Sequence, residues 1–111
     1  MNRHYLTNMP SDWNRIAQIF SALGDETRQK ILLLFEPGES ISRKTISELL
    51  PLSQTAVAHH LTTLVRAGML IPVRHGKEIW YTLNLERLID ALDRVRVYAA
   101  GMLEKTRELP S

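Results

Sequence analysis

One stretch constrains this chain more than any other: Pro51 to Leu83, PLSQTAVAHHLTTLVRAGMLIPVRHGKEIWYTL. Pro51-Leu52 makes a turn, and the Ser53 hydroxyl can accept from the first free N–H groups of a new helix. Val57, Leu61, Leu64 and Val65 then recur at i, i+4, i+7 and i+8, the stripe of a helix packed on a core. The opposite face carries Gln54, Thr55, Ala58, His59, Thr62 and Arg66. These side chains are short or hydrogen-bonding, with one cation and no acid, whereas a solvated helix face is usually laced with both signs of charge. Such a face is small and smooth enough to enter a groove.

Ala67-Gly68 ends that helix, glycine being suited to the left-handed position after a helix. Two short β-prone runs follow, MLIPVR and EIWYTL, around His75-Gly76-Lys77, which is a hairpin signal. Arg74, His75 and Lys77 cluster near its tip. A helix fit for a DNA groove followed by a cation-tipped hairpin reads as a winged helix-turn-helix. The expected fold is mainly α, with a small β-hairpin wing and a long C-terminal dimerisation helix.

With 111 residues the chain has room for one domain with a modest core. The expected organisation is a flexible N-terminal arm over residues 1–10 and a single domain over 11–111. Within it, the recognition helix covers about 53–67, the wing about 69–83 and the dimer helix about 84–109. The chain has no cysteine, which removes disulfides, Cys-based zinc sites and thiol chemistry. The start, MNRHYLTNMPSDW, lacks an apolar run, and the longest apolar run, Ile31 to Phe35, is too short to span a bilayer. The expectation is a cytoplasmic protein with no membrane partner. Net charge is +2 but uneven: residues 40–83 carry five basic side chains against two acidic, while residues 1–39 carry four against five. The basic excess therefore falls on the segment suspected of touching DNA.

In chain order, Ser11 is expected to cap a first helix to about Leu23, with Trp13, Ile16, Ala17 and Phe20 facing inward. Asp25 caps a second helix that runs to Phe35 and buries Ile31, Leu32, Leu34 and Phe35. Ser40-Ile41 supplies a short strand to pair with the hairpin, since three strands are sturdier than two. Ser42 caps a third helix to Leu50, with Ile46, Leu49 and Leu50 inward, and Pro51 ends it. Asn84 is expected to cap the last helix. There Leu85, Leu88, Leu92, Val95, Ala99 and Met102 alternate three and four residues apart, the a/d seam of a helix that packs on another. Trp13, Ile16, Phe20, Leu88, Leu92, Val95, Ala99 and Met102 form the candidate dimer interface.

These residues also carry a family resemblance. Ala22-Leu23-Gly24-Asp25-Glu26-Thr27-Arg28 running into Ile31-Leu32 resembles an "LxDxTRxxIL" helix opening. Leu52 to Leu61, with Leu64, Ala67 and Gly68, is similar to a recognition-helix signature, and His75-Gly76-Lys77 with Trp80-Tyr81-Thr82-Leu83 resembles a wing. Together they resemble the ArsR/SmtB family of bacterial winged-helix repressors, from about Ser11 to Leu103. The resemblance implies a homodimer that represses transcription from a palindromic operator, with a metal or other signal releasing the DNA in many members. The sensing residues depart from the family patterns. A cysteine pair in the third helix would fall between Ile46 and Leu50, where the chain reads Ile46-Ser47-Glu48-Leu49-Leu50. A last-helix Asp-x-His set would need histidine two residues after Asp90, where Leu92 stands.

His59 and His60 point about 100° apart on a helix, so they cannot easily share an ion. His60 is expected to be partly buried beside Leu64 and His59 to face the groove. Gln54 and Thr55 are candidates for base edges. Arg66, Arg74 and Lys77 suit phosphates or the minor groove, while Arg43 and Lys44 fit either phosphates or a solvated charge pair. With Ser53, Ala58, His59 and Thr62 they complete the candidate DNA-binding set. No catalytic group, metal ligand set or cofactor is assigned. The expected partners are double-stranded DNA and a second copy; a small-molecule inducer is left open, with no residue set assigned to it. The alternative is a winged-helix protein-interaction module that does not bind DNA directly. The acid-free face of the fourth helix favours DNA.

Overall fold

The computed structural model describes residues 1–110; Ser111, the end of the expected domain, lies outside the described residues. A single 3-10 turn, His4–Leu6, marks the arm. Then come α1 (Ser11–Leu23), α2 (Glu26–Leu33), β1 (Ile41–Ser42), α3 (Arg43–Leu49), α4 (Gln54–Arg66), β2 (Leu70–His75), β3 (Glu78–Leu83) and α5 (Leu85–Arg107).

Three helices begin where the sequence offers an acceptor to their first free N–H groups. The Asp25 carboxylate accepts from the Arg28 N–H at 3.0 Å, the Ser42 hydroxyl from Thr45 at 3.1 Å, and the Ser53 hydroxyl from Ala56 at 3.1 Å. Two expected caps are not formed. Pro10 takes the position before α1, so Ser11 is already helical, and Asp12 serves the first turn by accepting from the Trp13 N–H. Asn84 precedes α5 at φ −106° and ψ 79°, outside the extended geometry that brings a cap side chain over the helix end. Its backbone N–H donates instead to the Met69 carbonyl at 2.9 Å.

The sheet is antiparallel in the order β1-β3-β2. Ile41 pairs with Tyr81, and His75 pairs with Glu78 across the two-residue turn Gly76-Lys77. Gly76 sits at φ +63°, the left-handed conformation such a turn demands. Tyr81 faces the core at 5% exposure while Trp80 is half-buried, as alternation along a strand requires. Burial pushes the Tyr81 phenol above its ordinary pKa, partly offset by Arg43.

The core joins all layers: Ile31 of α2, Ile46 of α3, Val57, Leu61 and Leu64 of α4, and Leu70 of β2 are fully buried. On α1 the inward stripe is Ile16, Ile19 and Ala22, which corrects the expected Trp13, Ile16, Ala17 and Phe20. The helix carries two apolar stripes, and α2 and α4 cover only one. Trp13 is half-buried, Ala17 is exposed and Phe20 is 39% exposed. Ile16, 4% exposed, belongs to the core of its own protomer and has little surface left for a partner. Leu49, expected inward, is 58% exposed because α3 ends there and Leu50 turns back towards the core.

The last helix, α5, is 23 residues long, and only Ala91 on it is buried. α1 covers one flank, where Trp13 meets Tyr98 edge-on at 5.3 Å and Asp12 pairs with Arg94 at 2.9 Å. Leu88 and Val95 are half-buried, whereas Leu85, Leu92, Ala99 and Met102 stay uncovered along most of the seam. Among the described residues no helix is long and apolar enough to cross a membrane.

Candidate nucleic-acid interface

The burial of Val57, Leu61 and Leu64 fixes which way α4 faces. With that stripe inside, Gln54, Thr55, His59, Thr62 and Arg66 are exposed and Ala58 is half-exposed. Ser53 is exposed beside them, its hydroxyl oxygen already accepting from Ala56. The Thr63 hydroxyl turns back to the His59 carbonyl at 3.0 Å and so does not compete for that surface.

Beside the start of α4, α3 and the wing enclose a cleft of 500 Å³ lined by three cations, Arg43, Lys44 and Lys77, two acids, Glu48 and Glu78, and Ser47, Gln54 and Ile79. The structure thus brings Arg43, Lys44, Gln54 and Lys77 together from three separate segments. Ser47 and Glu48, which sequence reasoning did not single out, share the cleft because they follow Lys44 by about one helical turn. Arg74 is exposed on β2 opposite Ile79. Arg66 lies apart, at the far end of α4 in a separate groove with Gln18 and Ser21 of α1.

Among the described residues, Arg43, Lys44, Arg66, Arg74 and Lys77 form no ion pair, while Arg94 pairs with Asp12 and Asp90, and Arg96 with Asp93. Cations without an acid partner are not confined to one side, since Arg15 on α1 and Arg87 on α5 form no ion pair either among these residues. Such cations keep their full attraction for a polyanion, subject to screening by salt.

His60 is half-buried and turned towards α2, away from His59, and the two rings are 6.0 Å apart. Its Nδ1 lies 3.2 Å from Arg28 Nη1 and 3.9 Å from the Asp25 carboxylate. The same guanidinium donates to the Ala22 carbonyl at 2.7 Å and to the Ser21 carbonyl at 3.1 Å. Arg28 therefore ties the end of α1 and the middle of α4 to the start of α2. The Arg28 N–H above all, helped by its guanidinium and the His60 ring, holds the Asp25 carboxyl below the usual carboxylate value against the opposing effect of desolvation. This clamp was missed in the sequence, though Asp25-x-x-Arg28 after Gly24 was the visible trace of it. Among the described residues no three His, Asp or Glu side chains gather as metal ligands.

A helix-turn-helix whose second helix shows an acid-free face, flanked by a cationic hairpin, defines a DNA-binding regulator of the winged-helix class. The helix-turn-helix domain family matches residues 23–73. The transcriptional repressor SdpR of Bacillus subtilis is 35% identical over 75 residues, 68% of this chain and 82% of that protein. The probable mercury resistance operon repressor of Streptomyces lividans is 36% identical over 84 residues, 76% of this chain and 66% of its own length. The solved structure of an ArsR-like transcriptional regulator from Rhodococcus sp. RHA1 superposes with a TM-score of 0.79 at 28% identity, covering 88% of this chain and 92% of that one. The chain belongs to the ArsR/SmtB family of winged helix-turn-helix transcriptional regulators.

Proposed function

We propose that this regulator is a homodimeric repressor that binds a palindromic operator, with α4 of each protomer in a major groove. The observation that carries the reading is the acid-free outer face of α4, with Arg43, Lys44, Arg74 and Lys77 beside it free of acid partners among the described residues, while Arg94 and Arg96 on α5 are held by acids. Gln54 and Thr55, at the start of α4, take the positions from which side chains reach base edges: Gln pairs well with adenine and the Thr methyl with thymine. Ala58, His59 and Thr62 line the groove behind them. Arg43, Lys44, Ser53, Arg66, Arg74 and Lys77 bind the phosphates, which supply affinity and fix register without reading sequence.

The uncovered stripe of α5 supports the dimer. Leu92, Ala99 and Met102, with the half-buried Leu88 and Val95, meet the same helix of a second copy, and Trp13 and Phe20 of α1 flank them. The repressor acts without the family's cysteine or last-helix metal sites, since the positions that would hold them are Ile46 to Leu50 and Leu92.

Titration of a labelled operator duplex at several salt concentrations tests the reading. Replacing Arg74 and Lys77 with Ala should weaken binding to all duplexes alike. It should also flatten the plot of log affinity against log salt by about 0.9 for each phosphate that these side chains neutralise. An unchanged slope would take the wing off the DNA. No binding at any salt would favour the protein-interaction module instead.

A further inference from the structure

A second concavity, of 470 Å³, lies away from the DNA-facing cleft, between the end of α2, the root of the sheet and the first turns of α5. Its walls are Leu32 and Phe35, Met69 and Leu83, and Leu85 and Leu88. No ionisable side chain lines it; its polar groups are the amides of Gln29 and Asn84. Gln29 Nε2 donates to the Leu23 carbonyl at 2.6 Å, which leaves its carbonyl oxygen to accept another bond. The Asn84 side chain makes no capping bond.

This lining selects a ligand. A charged molecule would lose its hydration without gaining a partner, whereas a neutral apolar one with a single polar group matches the walls and the amides. The volume suits a small organic molecule. A second copy of the chain fits less well. Of the α5 seam only Leu85 and Leu88, at its start, reach the concavity; Leu92, Val95, Ala99 and Met102 do not line it.

The concavity is also joined to the recognition helix. The Asn84 N–H donates to the Met69 carbonyl at 2.9 Å, and the Met69 N–H donates to the Leu64 carbonyl on α4 at 3.0 Å. Arg87, in the first turn of α5, lies over Gly68, so that a Cβ there would come within 3.1 Å of its guanidinium carbon. The Arg87 side chain of α5 thus lies against the turn that follows α4. We infer that this pocket binds a neutral, mainly apolar organic ligand with one hydrogen-bonding group, and that its occupation shifts the start of α5 against α4 and lowers DNA affinity. The regulatory half rests on the repressor reading; the binding half does not.

The probe is N-phenyl-1-naphthylamine, a neutral aryl amine that fluoresces on entering apolar surroundings. Added to the full chain, it should bind saturably, one per protomer. Leu33→Asp puts a charge on the rim at a side chain 83% exposed, where little apolar burial is lost. It should weaken probe binding about tenfold while thermal midpoint and dimer stay as in the parent. Saturating probe should weaken operator binding about tenfold in the parent, and the probe concentration that gives half of this effect should rise about tenfold in Leu33→Asp. Unsaturable binding, or equal binding to both proteins, would overturn the site. A monomeric Leu33→Asp variant in light scattering would give the groove to a second copy and overturn it as well. Bound probe with unchanged DNA affinity would overturn the coupling. A chain that never binds DNA would fail the repressor reading and the coupling together, with the probe titration still deciding the site.

Discussion

Asp25 caps α2 and lies 3.9 Å from the His60 ring, while Arg28, in the same network, reaches back to the carbonyls of Ser21 and Ala22. The cap was legible because a helix start leaves N–H groups free and Asp is among the best acceptors for them. The reach of Arg28 was not, since it depends on how closely the end of α1 approaches α2 and α4. The depressed Asp25 carboxyl gives a pH prediction. A carboxyl lowered on folding adds stability above its unfolded pKa of about 3.9 and loses it as pH falls through the folded value. Asp25→Asn keeps the cap acceptor and drops the charge. The melting-temperature advantage of the parent over this variant should therefore be present at neutral pH and shrink as pH is taken below about 4. An advantage independent of pH would mean that the charge contributes nothing.

At the scale of elements, α4 and the hairpin were the most legible parts. The 3.6-residue and 2-residue periods, the cap at Ser53 and the glycines at Gly68 and Gly76 all agree on one local structure. α1 was read less well. Its Trp13-Ala17-Phe20 and Ile16-Ile19 stripes are both helical in spacing, and only the packing of α2 and α4 decides between them. Leu49 failed for a related reason, because periodicity does not say where a short helix stops. Leu61 of α4 is 1% exposed and holds the recognition helix against the core. Leu61→Ala should cost about 2–5 kcal/mol in chemical denaturation, from the apolar burial removed and the cavity left behind. A cost below about 1 kcal/mol would mean that α4 is not anchored through this side chain.

At the scale of the whole molecule, the division of labour follows from what each face leaves uncovered. The α3–α4–wing side leaves cations, and α5 leaves Leu92, Ala99 and Met102. The heptad spacing made the α5 seam legible, and the protomer does not cover it, but sequence spacing alone could not separate Ile16, taken by the core, from Trp13 and Phe20. Leu92→Asp would place an unpaired charge between two copies and should yield monomers by light scattering. A dimer that survives it would displace the interface from the seam.

The proposed function joins these features in a dimer that would read DNA with paired α4 helices. Its decisive test is fluorescence anisotropy of the purified protein against the DNA upstream of its own gene, with a random duplex as control and both at several salt concentrations. A dimeric repressor should bind the upstream DNA tightly at two protomers per site, and the control much more weakly with a steep dependence on salt. Equal and weak binding to both duplexes would contradict it.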